Sequence, residues 1–136
     1  MDFLKSMAIA ASGLRAQSGR MRVISENIAN SESTAQRPGA DPYRRKIPTF
    51  SSEMDRTLDA KVMTMGKVRP DPAAFRVKYE PGHPAADQAG YVKYPNVYAL
   101  VEMTDMREAQ RSYEANINVI GATRRMIQRT IDLLRA

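Results

Sequence analysis

Apolar residues repeat in heptads at both ends of the chain and lose that rhythm between them. Near the start, Met7, Leu14, Met21 and Ile28 recur every seven residues, and Phe3, Ala10, Gln17 and Ile24 form a second row four residues before each. Two such rows make a stripe on one face of a helix, with Gln17 as its polar exception. Ala8, Ser12 and Ala16 run beside it as a row of small side chains that lets another helix approach closely. The last part of the chain repeats the device. Met106, Tyr113, Ile120, Ile127 and Leu134 occupy one heptad position, and Met103, Gln110, Ile117, Arg124 and Ile131 the other. Asn96, after Pro95, is read as the N-cap of a helix that continues to Arg135, on the order of 58 Å at 1.5 Å per residue.

Two striped helices at opposite ends of a chain most simply bury their stripes against one another. The fold class expected is mainly α: long N- and C-terminal helices paired as an antiparallel coiled coil, with a small β-rich or extended middle segment. Polar members of the stripes fix register or face a neighbouring subunit. Ile9, Val23, Ala109, Ala122 and Met126 lie outside the stripes. One pair of helices cannot cover all of these, so company from other copies is expected.

The eight prolines, from Pro38 to Pro95, confine long helices to the two ends, because proline removes a backbone donor and clashes with the preceding helical turn. Three segments follow: 1–30, an N-terminal helix; 31–96, a proline-rich middle; and 97–136, a C-terminal helix, with the first and last forming one helical core. Within the middle, "YRRKIPTF" from Tyr43, "KVMTMGKV" from Lys61, "FRVKY" from Phe75 and "YVKY" from Tyr91 read as short strands between Pro and Gly breaks. Residues 31–42 hold no apolar side chain larger than Ala and are expected to be mobile. The first helix stops at "SENIANSEST". Asn27 and Asn30 are expected to cap it through left-handed or local hydrogen-bonded conformations, while Ser31, Ser33 and Thr34 compete for its backbone.

Charge and composition narrow the function. The net charge of +6 divides as +2 over 1–30, +3 over 31–96 and +1 over 97–136, and only Arg44, Arg45 and Lys46 form a dense cluster. That is a weak nucleic-acid footprint, and a basic nucleic-acid-binding module using this cluster and the aromatic strands is the alternative reading. The absence of Cys rules out disulfides and thiolate chemistry. No run approaches the ~18 apolar residues of a membrane span. The apolar run Met7–Ala11 is too short for a signal peptide, so no cleaved signal is expected.

Catalytic patterns are missing. His83 is the only histidine and lies between Pro81 and Pro84, where a rigid turn with a hydrogen-bonding imidazole is the expected role. No glycine pattern cradles a phosphate and no serine sits in a nucleophile elbow. Glu102, Asp105, Glu108 and Glu114 alternate with Arg107 and Arg111, as on a solvated helix face. Met54, Met63 and Met65 fill core gaps or offer an adaptable surface. No catalytic residue, cofactor or metal ligand is expected, and the chain is read as a non-enzyme.

"AASGLRAQSGRMRVISENIAN" from Ala10 to Asn30, "GHPAADQAGYVKYPNV" from Gly82 and "EMTDMREAQRSYEAN" from Glu102 resemble the axial proteins of the bacterial flagellar rod and hook over nearly the whole chain. The short middle segment is similar to that of their proximal-rod members. The resemblance implies a structural subunit of the basal-body rod, a drive shaft built from terminal helices with the middle segment outside. It also implies export through the flagellar type III apparatus without a cleaved signal, and residence in the periplasm-spanning rod. The implied partners are other rod subunits, proximal and distal, further copies of the chain itself, the hook-basal-body adaptor, and MS-ring and export-gate proteins. No nucleic acid and no membrane span are implied.

By position, Ser12 to Gln17 and Ser25 to Asn30 correspond to the inner helix and its exit. Tyr91, Pro95, Asn96 and Val97 correspond to the entry of the second helix, and Glu102 to Asn116 to an inter-subunit face. The residues expected to pack subunits are Met7, Ser12, Leu14, Gln17, Met21, Ile24, Asn27, Ile28 and Asn30 on the first helix. Those on the second are Asn96, Met103, Met106, Gln110, Tyr113, Asn116, Ile117, Ile120, Arg124, Ile127, Ile131 and Leu134. Gly121 interrupts the second helix, where glycine costs up to about 1 kcal/mol relative to alanine, so close packing or a bend is expected there.

Overall fold

The computed structural model describes residues 2–136. Helix α1 spans Phe3–Ala29 and helix α2 spans Ala99–Arg135, and six short strands lie between them: β1 (Lys46–Ile47), β2 (Phe50–Asp55), β3 (Ala60–Met65), β4 (Arg69–Pro70), β5 (Arg76–Tyr79) and β6 (Tyr91–Tyr94). The strands form three separate antiparallel pairs, β1 with β4, β2 with β3 and β5 with β6. Two helices and a small strand-containing middle agree with the periodicity. At 1.5 Å per residue the 37-residue α2 is about 56 Å long.

The chain folds as two compact units, and both helices run through both. One unit comprises the chain up to Met21, Thr49–Lys67 and Arg107–Ala136. Its hairpin pairs β2 with β3 from Phe50↔Met65 to Asp55↔Ala60. Asp55 closes the turn by accepting hydrogen bonds from the backbone N–H groups of Thr57 and Leu58, and Asp59 takes a positive φ of 48°. The short polar side chain of an aspartate tolerates that conformation better than a branched one would. Ser12 fastens the hairpin to α1: its hydroxyl donates to the Ile9 carbonyl at 2.6 Å and accepts from the Met63 N–H at 3.1 Å.

The other unit comprises Arg22–Pro48 and Val68–Met106. Its apolar centre is small, with Ala85, Val92 and Tyr94 buried and Ala86 packed against them. Strands β5 and β6 pair from Arg76↔Tyr94 to Tyr79↔Tyr91. The connection between them turns on Asp87, whose carboxylate accepts from the N–H groups of Ala89 and Tyr91, and on Gly90 at φ 87°. A Cβ at Gly90 would stand 2.8 Å from the Tyr79 ring, so both conformation and space require glycine. His83 has the role expected of it: its Nδ1 accepts from the Ala85 N–H at 3.0 Å.

Candidate functional site

Helix α1 ends at Ala29, where the residues stop supporting it. The Asn30 side chain donates back to the Glu26 carbonyl, and the hydroxyls of Ser31 and Ser33 donate to the carbonyls of Ile28 and Asn30. The local competition is as expected, but the left-handed cap is not. Asp59 is the one non-glycine residue with positive φ among the described residues.

Asn27 corrects the capping expectation further. Its side chain is fully buried and reaches across its unit instead of closing its own helix. The carboxamide Nδ2 donates to the Lys46 carbonyl at 2.9 Å and to Glu102 Oε2 at 3.2 Å. Its Oδ1 accepts from the Lys46 N–H at 2.9 Å and from the Tyr43 hydroxyl at 2.8 Å. Every hydrogen-bonding position of the amide is filled, which is the condition under which a buried polar side chain is tolerated.

Glu102 meets Asn27 from the first turn of α2 with 0% exposure. Its other oxygen accepts from Arg45 Nε, and the same guanidinium reaches Asp71 at 3.2 Å and Asp105 at 3.7 Å. The solvated face expected for Glu102 is thereby overturned: the carboxylate is buried here with a half-buried guanidinium and the Asn27 amide as its partners. Burial alone would lower the Arg45 pKa, but the hydrogen bonds and charges of Glu102 and then Asp71 raise it above its usual value.

Asn96 is likewise no helix cap, since α2 begins at Ala99. Its Oδ1 accepts from the Arg45 N–H at 2.8 Å, and its Nδ2 donates to the carbonyls of Asp71 and Ala73. The basic run is spent internally as well. Arg44 donates to the Asp71 and Ala73 carbonyls and lies 4.2 Å from the Phe75 ring centroid, while Lys46 pairs with Glu26 at 2.8 Å. Three cations with carboxylate, carbonyl and aromatic partners in their own unit are not a free phosphate-binding strip.

On α2 the buried positions are Glu102, Ala109 and Thr123, with Asn116 half-buried between them, all seven residues apart. Of the rows picked out by periodicity, Met106, Tyr113, Ile120 and Ile127 are half-buried, whereas Met103, Gln110, Ile117, Arg124, Ile131 and Leu134 are exposed. The covered row stands one residue before the Met103 row. Small side chains allow close approach there: a Cβ at Gly13 of α1 would lie 2.9 Å from the Asn116 carboxamide. Arg20 and Glu108 add a pair at 3.5 Å in the same unit.

On α1, Ser12, Ile24 and Asn27 are buried, and Met7, Leu14, Gln17, Met21, Ile28 and Asn30 half-buried. Gln17 Oε1 is the one buried side-chain polar atom without a hydrogen-bond partner among the described residues. It borders an open groove of about 460 Å³ between α1 and the β2–β3 hairpin. Of the methionines, Met54 and Met63 are exposed, while Met65 packs on Gly19. Within its own chain Gly121 lacks the close packing expected of it: a Cβ there would meet only the end of the Arg125 side chain, and α2 runs on through it. Sequence reasoning missed Arg45 and Asp71 as structural residues, and nothing in heptad spacing signals them.

Residues 7–35 match the family described as flagella basal body rod protein, and residues 88–133 match the C-terminal region of the flagellar basal body rod FlgEFG proteins. The chain is 55% identical over 137 aligned positions to the flagellar basal-body rod protein FlgC of Agrobacterium fabrum, covering 100% of this chain and 99% of that one. It is 36% identical to the FlgC of Yersinia enterocolitica, with 98% of each chain covered, and 35% identical to that of Aquifex aeolicus, with 97% of each covered. Both ends and the middle are therefore shared in order and at full length, and the chain belongs to the flagellar basal-body rod protein FlgC family.

Proposed function

We propose that this chain is a structural subunit of the proximal part of the flagellar basal-body rod, polymerising through its terminal helices into a shaft that transmits torque. It is a member of a rod family rather than an enzyme. The observation that carries the reading is the outward row of α2: Met103, Ile117 and Ile131 are exposed, and Leu133 and Leu134 are 78% and 82% exposed near its end. Apolar surface of this kind gains roughly 25 cal/mol per Å² when covered, and neighbouring rod subunits are what would cover it.

The helices are read as an antiparallel pair, and 1–30 with 97–136 as one helical core flanked by the middle segment. Support comes from Gly13 beside Asn116 and Arg20 beside Glu108 in one unit, and from Asn27 beside Glu102 in the other. In the first of these units the later residue of α1, Arg20, meets the earlier residue of α2, Glu108. The half-buried Met7, Leu14, Gln17, Met21, Ile28 and Asn30 and the exposed row of α2 are the surfaces we assign to subunit packing. The unpartnered Gln17 Oε1 suits a donor from a neighbour. Partners are further copies and other rod subunits, with the hook-basal-body adaptor and the MS-ring and export-gate proteins at the ends. Delivery is by the flagellar type III route without a cleaved signal.

The test is deletion of residues 2–30 in the cell of origin, followed by electron microscopy of isolated basal bodies. The expected result is loss of motility and no rod beyond its proximal base, with the membrane ring retained. Complete rods in the deletion strain would refute the reading.

A further inference from the structure

We propose that the Asn27–Arg45–Glu102 cluster is the register lock of the helix pair: it determines which turn of α1 meets which turn of α2, and it does so without adding to stability. The proposal rests on the reading of α1 and α2 as a pair.

The apolar pattern alone does not choose a register. Its rows repeat every seven residues, so sliding α2 by one heptad brings methionine, isoleucine and tyrosine positions back onto one another, and apolar contact is non-directional. The polar positions break that degeneracy. Seven residues beyond Glu102 stands Ala109, and seven before it stands Pro95. Neither supplies an acceptor side chain. In either slipped register the half-buried Arg45 would lose Glu102 and keep only Asp71, and the fully buried Asn27 Nδ2 would lose one of its two acceptors. A fully buried amide N–H left short of an acceptor, and a guanidinium stripped of its best-placed carboxylate, each carry a penalty, so the correct register is selected against the others.

The lock is held from a third direction. Asn96 accepts from the Arg45 N–H, and Asp71 takes the far side of the guanidinium, so Arg45 cannot follow Glu102 if the helix slides. Lys46 binds both ends of the Asn27 amide through its backbone and fixes the rotamer that faces Glu102. Polar groups replaced together by apolar ones of similar shape usually leave stability unchanged or higher, and this separates register from stability.

The test uses the full chain, which has no cysteine of its own. Nitroxide labels at Ser25→Cys and Thr104→Cys, both exposed and in the same unit, report the offset between the helices by pulsed electron resonance. The unaltered cluster should give one narrow distance distribution. The variants N27L/R45M/E102L and R45M/E102L should both keep helical circular dichroism, the double variant with a melting temperature close to the parent and the triple one lower, because Tyr43 and the Lys46 backbone lose their partners in Asn27. Both should show a broadened or split distribution, since one heptad of slide is about 10.5 Å along the axis. A narrow, unshifted distribution in the folded variants would overturn the lock. So would loss of helical signal in both variants, which would make the cluster a source of stability instead. No defined distance in the parent would overturn the pairing itself, and the lock with it.

Discussion

The carboxamide of Asn116 on α2 occupies the space that any side chain at Gly13 on α1 would need, with Nδ2 2.9 Å from an added Cβ. Gly121, five residues after Asn116 and one turn past Ile117, faces only the end of the Arg125 side chain. The two glycines therefore respond in opposite ways to alanine.

Helix propensity favours alanine by about 1 kcal/mol at either site. At Gly121 nothing opposes it, so Gly121→Ala should stabilise the isolated chain by about 0.5–1 kcal/mol. At Gly13 the Asn116 side chain must turn away, and Gly13→Ala should show no gain. Urea denaturation followed by circular dichroism compares them. Equal gains at both sites would show that Gly13 is not in contact.

Asn96→Ala removes one acceptor and two donor contacts at once, leaving the Arg45 N–H and the carbonyls of Asp71 and Ala73 with fewer partners. A buried polar group left unsatisfied costs about 1–3 kcal/mol. The variant should lose about 2–3 kcal/mol in urea, whereas removal of a simple helix cap would cost about 1 kcal/mol. A loss near the smaller figure would return Asn96 to the capping role.

Alkaline pH should unfold the unit that holds Tyr94. Its hydroxyl donates to Glu80 at 3.0 Å, and that hydrogen bond, then burial, raises its pKa above the usual tyrosine value. Burial first raises that of Tyr43, and a hydrogen bond with Glu26 first raises that of Lys46. A group whose pKa is higher in the folded state contributes stability in full below its unfolded value, about 10 here, and loses it as pH rises through the folded value. The melting temperature should therefore hold to about pH 9.5 and fall by pH 11, and Tyr94→Phe should shrink the fall. A melting temperature unchanged to pH 11 would contradict this.

The exposed row of α2 predicts a separation of folding from assembly. Ile117→Glu and Ile131→Glu sit on the surface of the single chain, where substitutions usually change stability by no more than about 0.5 kcal/mol. Each should leave the circular dichroism melt unchanged and abolish complementation of a strain lacking the chain. Motile complemented cells would exclude that row from subunit packing.

Both helices and four strand-forming stretches were legible from periodicity and from proline placement, because those signals are local. The seam was not, since heptads at Met103 and Met106 mark where apolar residues lie, while the covered row follows small and polar ones: Ala109, Asn116 and Thr123. Close approach favours short side chains, and hydropathy does not register it. The polar cluster was hidden for another reason. Asn27 and Glu102 stand 75 positions apart, and Arg45 stands 57 from Glu102, so nothing near any one of them announces the other two. An arginine in a basic run and a glutamate among arginines each look solvated until the fold brings them together.

That separation has a bearing on how the molecule is made. Neither compact unit is drawn from one uninterrupted length of polypeptide, and the knot around Asn27 needs a contribution from beyond position 100 before its guanidinium meets the Glu102 carboxylate and the Asn27 amide fills its last acceptor. Asn27, Lys46, Arg45, Asp71 and Asn96 can meet without it, but the pairing of the two helices at this point waits on the last third of the sequence.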